Sequence, residues 1–460
     1  MLNKFFGTRS FYKQLIMLVI PIMIQNGITN FVNMLDNIMV GRVGTFQMTG
    51  VAVSNQLIFV FNLCIFGAIS GAGIFGAQFY GKGDHKGLQH SLRFKFIFCL
   101  ILTFVCTGIL ILFGNELIGF YLKGEGRPED AAASLKYAKE YLNIMLIGII
   151  PYSIAQCYSS TLRETGQTIV PMVAGLSAVA VNMSLNYVLI FGKLGAPKMG
   201  VAGAAIATVI SRFVELIVVA IWTHTHRDKN KFIVGIFKGF AVPRRLCGQI
   251  FIKSLPLMLN ETLWAASIAT INQCYSIRDL NVVAATNIST TFYNVFSVAF
   301  LSVGVAIGII IGQQLGAGKT DIVRNTARHC ITFSVLVSAV IGIIYAFVAE
   351  FIPYAYNTTD DVRNLATGFM IITALTMPIE AFVNASYFTL RSGGKTFITI
   401  LFDSCFAWGV SVVAAFILSY YTTIPILTVF LIGHLLNLIK AAIGFILIKK
   451  GIWIKNIVNN

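Results

Sequence analysis

Apolar runs of roughly the 20 residues needed to cross a bilayer recur from one end of the chain to the other, separated by short polar connections. They fall at approximately 13–39, 52–80, 92–114, 137–161, 168–191 and 199–222, and again at 248–275, 284–316, 327–352, 363–389, 398–420 and 424–447. They show no polar–apolar alternation, which excludes a membrane barrel. In hydrocarbon, a helix then remains as the structure that satisfies its own backbone. The pattern predicts an all-α polytopic membrane protein of about twelve transmembrane helices. Several runs are longer than a bilayer is thick and must tilt, kink or protrude. The first reads as a full span rather than a removable signal, because no small-residue cleavage site follows it.

The runs repeat. Pro21, Gln25 and Asn26 in the first are matched by Pro256, Asn260 and Glu261 in the seventh. The second ends at Gly76, Gln78, Gly81 and Gly83, and the eighth at Gly312, Gln313, Gln314, Gly316 and Gly318. Pro151 leads to Leu162, Arg163 and Gly166, as Pro378 leads to Leu390, Arg391 and Gly394. Such self-similarity marks a duplicated unit. We expect two six-helix lobes, 1–222 and 248–460, joined by a cytoplasmic linker at 223–247. An even number of spans per half gives both halves one orientation, so a pseudo-two-fold axis along the membrane normal relates them. Pro21, Pro151, Pro256 and Pro378 read as matched helix bends, the alternative for each being an ordinary membrane-helix kink. The ladder Gly304, Gly308, Gly312 and Gly316 reads as a close-packing face.

Composition agrees: 57% of residues are hydrophobic, 11% are charged, and the mean hydropathy is +0.79. A soluble domain carries about a quarter charged residues. A net charge of +16 would fit nucleic acid, but its placement argues otherwise. Of the basic residues, only Arg42, Lys123, Arg127, Lys136, Lys139, Lys193, Lys198, Arg278 and Arg363 fall on one face, together with Glu116, Glu125, Glu129, Asp130, Glu140, Asp360 and Asp361. The rest, including Lys82, Arg93, Lys95, Arg163, Arg212, Arg391 and, in the tail, Lys440, fall on the other. This is the positive-inside pattern, and it puts both termini in the cytoplasm of a multi-pass protein of the plasma or inner membrane. In the linker, His224 and His226 read as solvated loop residues rather than metal ligands. Phe232, Ile233, Val234, Ile236, Phe237 and Phe240 read as lying in the membrane interface. The scattered cysteines have neither ligand spacing nor a disulfide framework.

A carboxylate at mid-membrane costs about 2.5–3.5 kcal/mol, so the few present stand out. Asp36, Glu261 and Glu380 have no basic residue within one helical turn and are candidates for holding a proton, Na⁺ or a cationic substrate. Glu215 and Asp403 lie near the cytoplasmic ends and read as structural, Glu215 having Arg212 one turn away. Asn182 and Asn186 share a helix face, and Asn26, Asn30 and Asn33 form a stripe running towards Asp36. The alternative for any one Asn is an ordinary interhelical packing bond.

These residues resemble those of the multidrug and toxic compound extrusion (MATE) family. The likeness rests on Asp36-Asn37-Ile38-Met39-Val40-Gly41, the segment Gly76 to Asp84, the turns Leu162-Arg163 to Gly166 and Leu390-Arg391 to Gly394, and the segment Met199 to Thr208. The resemblance implies a twelve-helix, two-lobe antiporter exporting organic cations in exchange for H⁺ or Na⁺ by alternating access. It assigns Asp36, Asn182, Asn186, Glu261 and Glu380 to cation coupling and substrate binding. Asn186 stands where some members have Asp. The expected partners are small organic cations and membrane lipids, with no nucleic acid, no cofactor and a monomeric chain. A lipid-linked oligosaccharide flippase of related fold is the alternative. It would line its cavity with Arg or Lys, whereas these spans read as holding carboxylates and essentially no deep basic residues. An intramembrane enzyme and a channel fit less well, for want of a catalytic constellation and because of the fused repeat.

Overall fold

The computed structural model describes residues 6–122, 128–356 and 358–459, apart from the side chains of 33, 34, 37, 38, 128 and 280. The expectations for Asn33, Asn37, Ile38, Lys123, Glu125 and Arg127 therefore lie outside the description. The first half of the chain forms α1 (Arg9–Gly41), α2 (Thr45–Lys82), α3 (His85–Leu122), α4 (Pro128–Glu164), α5 (Ile169–Phe191) and α6 (Gly200–Thr225). The second forms α7 (Arg244–Ser276), α8 (Leu280–Phe296), α9 (Val298–Gly316), α10 (Thr320–Ala349), α11 (Asp360–Ser392) and α12 (Thr396–Ile400). The last of these continues through π-helical turns at Leu401–Cys405 and Ala407–Val412 into α13 (Val413–Tyr421), followed by α14 (Ile426–Leu435) and α15 (Asn437–Lys450).

Eleven helical stretches among the described residues are long and apolar enough to cross a membrane. Helix α7 adds a twelfth long helix, its apolar run interrupted by Asn260 and Glu261. The run expected at 284–316 is divided at Ser297 into α8 and α9, although Ser297 N–H still donates to the Tyr293 carbonyl at 2.8 Å. Large apolar side chains face outward: Leu112 is 71% exposed, and Phe120 and Phe347 are each 74% exposed. In water such a surface would aggregate; in a bilayer it is the solvated face.

The matched motifs are helix terminators. After α2, Gly83 N–H bonds the Tyr80 carbonyl and Asp84 N–H the Phe79 carbonyl. After α9, Gly318 N–H bonds the Leu315 carbonyl and Lys319 N–H the Gln314 carbonyl. This doubled bonding needs a left-handed residue at the turn, and Gly83 and Gly318 adopt φ of 79° and 73°. The same device follows Arg163, where Gly166 N–H bonds the Arg163 carbonyl and Gln167 N–H the Leu162 carbonyl; after Arg391, left-handed Gly394 N–H bonds the Arg391 carbonyl.

The chain packs as two compact units. One comprises Ile24–Gly76 and His85–Phe251; the other comprises the residues up to Met23, Ala77–Asp84, and the chain from Ile252 onward. The start of α1 and the last turns of α2 therefore pack with helices of the second half.

In the first unit, α6 lies along α4 and α5, and α3 packs on α4. The segment after α6 is docked on α3. Gln89 donates to the Phe232 and Val234 carbonyls at 3.0 and 2.8 Å, and Arg93 to the Ile236 and Gly235 carbonyls at 3.0 and 2.9 Å. Phe232, Ile233 and Ile236 are buried, which corrects the interfacial reading for those three; Val234, Phe237 and Phe240 remain exposed. The two histidines are half-buried, His224 in the last turn of α6 and His226 just after it. His224 meets the Tyr158 hydroxyl at 3.0 Å, and His226 stacks on Trp222.

In the second unit, α11 is central, packing on α8, α9, α10, α14 and α15. Pro378 has no N–H and so leaves the Ala374 carbonyl without its usual intrahelical donor. Gly342 of α10 sits against that carbonyl, where a Cβ would collide. The segment after α15 buries Trp453 completely and ties neighbouring helix ends together. Gln78 donates to the Ser392 carbonyl and accepts from Ile457 N–H, and Asn456 donates to the Leu315 carbonyl.

The repeated glycines at the ends of α2 and α9 meet reciprocally. A Cβ on Gly316 would strike the Gln78 carbonyl, and one on Gly81 the Gln313 carbonyl. Gly316→Ala is expected to destabilise the protein by about 1–3 kcal/mol through overpacking. At Gly308 a Cβ would meet only Phe388, at 3.5 Å, so Gly308→Ala is expected to be neutral or stabilising. Thermal unfolding of both variants in detergent, read by gel filtration, checks the contrast; equal behaviour would refute the close approach.

Candidate functional site

Three carboxylates singled out by sequence lie in three separate settings. Asp36, near the end of α1, is met by α5. Asn186 donates to its Oδ1 at 2.7 Å and to Asn182 Oδ1 at 3.0 Å. Asn182 in turn bonds Thr208 of α6 at 3.2 Å. Turned the other way, the Asn182 amide reaches both Asp36 oxygens at 3.2 Å and accepts from Thr208, so either orientation keeps it in the network. Asn182 and Asn186 are buried, Asp36 is half-buried, and Asn30 is exposed. The structure thus brings Asp36, Asn182 and Asn186 together, as their face-sharing implied. These partners come from α5.

Helix α6 extends the polar surroundings. Arg212 interacts with Asp36 electrostatically, stacks on Tyr152 at 4.6 Å and pairs with Glu215 at 3.6 Å. The buried phenol of Tyr141, on α4, also faces the Asp36 charge.

In the second unit, Glu380 of α11 accepts from the Tyr293 hydroxyl of α8 at 2.7 Å and lies 3.2 Å from His434 Nδ1 of α14. The Thr376 hydroxyl is 2.9 Å from the same nitrogen. His434, a lone histidine in an apolar run, gave no sign of this neighbour in the sequence.

Glu261 of α7 has a different environment. Tyr387 donates to it at 3.3 Å, and the charges of Arg391 and Asp403 act on it. Asn260, beside it, bonds Tyr387 at 3.3 Å and Asp403 at 2.9 Å, and Lys440 pairs with Asp403 at 2.5 Å. Glu261 is therefore compensated from another helix. The matched pair in the first half is Arg163 and Gln25, bonded at 2.9 Å.

Two basic residues within the helices are buried in the protein and paired. Lys95 of α3 is 1% exposed and pairs with Glu164 of α4 at 2.6 Å, with Ser160 and Thr161 completing its ammonium shell. Lys440, assigned to the tail by charge alone, is buried in α15 against Asp403. Hydropathy averages hide such residues because a single charge barely lowers an apolar run. Pro21, Pro151, Pro256 and Pro378 all lie inside continuous helices.

Comparison with known proteins places this geometry among transporters. The MatE family signature matches twice, over residues 21–188 and 256–417, so its two copies begin at Pro21 and Pro256. A probable multidrug resistance protein NorM of Thermotoga maritima is 27% identical over 97% of this chain and 94% of its own. The fold matches the outward-facing structure of a multidrug resistance MATE family transporter of the MOP superfamily, with a TM-score of 0.85, 20% identity and 95% of each chain covered. It also matches a MOP superfamily transporter from Pyrococcus furiosus, whose reversed binding-pocket polarity is described as suggesting a different function, with a TM-score of 0.82, 19% identity and 98% and 97% of the two chains covered.

The Lys95–Glu164 pair supplies a direct test of how buried charge is held. Lys95→Met alone strands a carboxylate and is expected to cost roughly 3–5 kcal/mol. Lys95→Met with Glu164→Gln removes both charges and is expected to recover most of that loss. Unfolding of the two variants in detergent measures the difference, and additive losses would refute the pairing.

Proposed function

The chain belongs to the MatE family and is a membrane-embedded efflux transporter, and from that premise we propose that it exports organic cations in exchange for protons by alternating access. The observation that carries this reading is the Asp36 carboxylate, held in the apolar first unit by the amide of Asn186, with Asn182 beside it. A carboxylate so held can bind a proton or a passing cation, but it cannot fully serve both. That competition couples the two fluxes.

The donor chemistry supports a proton over Na⁺. Asp36 accepts from the Asn186 amide, and around Glu380 the near groups are a phenol and an imidazole. These groups donate to a carboxylate rather than supply the oxygen shell that a hard cation takes. Lys95 and Lys440 are each paired with a carboxylate, which leaves neither to receive a pyrophosphate and weighs against the flippase alternative. We place the basic helix ends that carry Lys82, Arg163 and Arg391 in the cytoplasm, with a lobe boundary at 223–247.

Glu261 acts within its network with Arg391, so its loss should matter less than that of Asp36 or Glu380. In proteoliposomes under separately imposed H⁺ and Na⁺ gradients, wild-type transport of a fluorescent organic cation is expected to follow the H⁺ gradient. Asp36→Asn and Glu380→Gln are expected to lose at least about tenfold in coupled rate, a change of about 1.4 kcal/mol, and Glu261→Gln less. Transport driven by Na⁺ alone, or unchanged in all three variants, would overturn the proposal.

A further inference from the structure

We propose that His434 carries the proton that is exchanged for a cation at Glu380. This rests on reading Glu380 as a cation-exchanging carboxylate and adds the residue on which the proton resides.

The hydrogen bonds define the state of the ring. The Thr376 hydroxyl donates to its own helix, to the Ile372 carbonyl at 3.0 Å or the Thr373 carbonyl at 3.2 Å. Its oxygen therefore turns lone pairs towards His434 Nδ1 at 2.9 Å, while Glu380 Oε1 lies 3.2 Å from the same nitrogen. With acceptors on both sides, Nδ1 carries a hydrogen. The ring's charge is then decided at Nε2. With a proton there, imidazolium and carboxylate form a neutral pair; without it, Glu380 keeps a negative charge that an organic cation can neutralise.

Glu380 is held in place for this. Its other oxygen, Oε2, is anchored by the Tyr293 hydroxyl at 2.7 Å, so Oε1 is the one shared between His434 and an incoming cation. Among the described residues, two further phenols lie near the pair: Tyr345 of α10, which interacts with Glu380, and Tyr275 of α7, whose hydroxyl packs against Gly433. The Phe430 ring lies 4.5 Å from the imidazole and restrains it from its own helix. The exchange balances in charge. A cation displaces the imidazolium from Glu380, Nε2 releases its proton to water, and the site is neutral before and after.

The test uses the purified full chain in detergent with tetraphenylphosphonium as probe. Protons released on binding are read by an indicator dye in weak buffer at about pH 6 and about pH 8, either side of the range in which free imidazole changes charge. At the lower pH, His434→Asn and His434→Gln are expected to release about one proton fewer per bound cation than wild type. Their affinity should also lose the part of its weakening on acidification that comes from the imidazolium. Asp36→Asn should keep the His434-dependent proton. Equal release from wild type and both His434 variants, with Glu380→Gln altered, overturns the role of His434 alone. Binding and release unchanged in Glu380→Gln overturn the reading of Glu380 as well. Nitrogen NMR of histidine-labelled wild type gives the same answer without a His434 variant. One imidazole is expected to lose a proton when the cation binds, an effect absent in Glu380→Gln, and no change in any histidine would refute the proposal.

Discussion

A polar group inside hydrocarbon has no water to return to, and nearly every functional feature of this protein follows from that constraint. Buried charges are held by partners from other helices: Asp36 by α5, Glu380 by α8 and α14, Lys95 by α4, and Asp403 by α7 and α15. Each carboxylate is therefore also a fastening between helices, and a change in its protonation or ligand alters helix-to-helix contacts. Transport needs a coupling of that kind.

The two halves share their backbone devices and differ in chemistry. Both end α2 and α9 with the same doubled turn, and both place an Arg after Pro151 or Pro378 to meet the helix carrying Pro21 or Pro256. Where the first half sets neutral Gln25 against Arg163, the second sets Asn260 and Glu261 near Arg391 and adds Asp403 and Lys440. The Asp36 cluster with its two asparagines belongs to the first unit alone, and the Glu380–His434 pair to the second. A duplicated scaffold thus carries two unlike carboxylate clusters, one built on amides and one on a phenol and an imidazole.

The sequence by itself determined the class, the repeat, most of the helix spans and the identity of the scarce acids. Those are statements about what lies along one helix, and hydrophobic length, turn glycines and charge density are all local. It also made the Asp36 cluster partly visible, because Asn182 and Asn186 are one turn apart and must share a face. Tertiary structure alone decided which groups face one another. It brought His434 to Glu380 and Arg391 to Glu261, turned Lys440 from a tail charge into a buried partner of Asp403, and packed Phe232, Ile233 and Ile236 with the first unit. The physical reason is that a hydropathy pattern records the cost of placing a charge in a membrane, whereas the compensation comes from residues far away in sequence, through helix packing that no local pattern encodes.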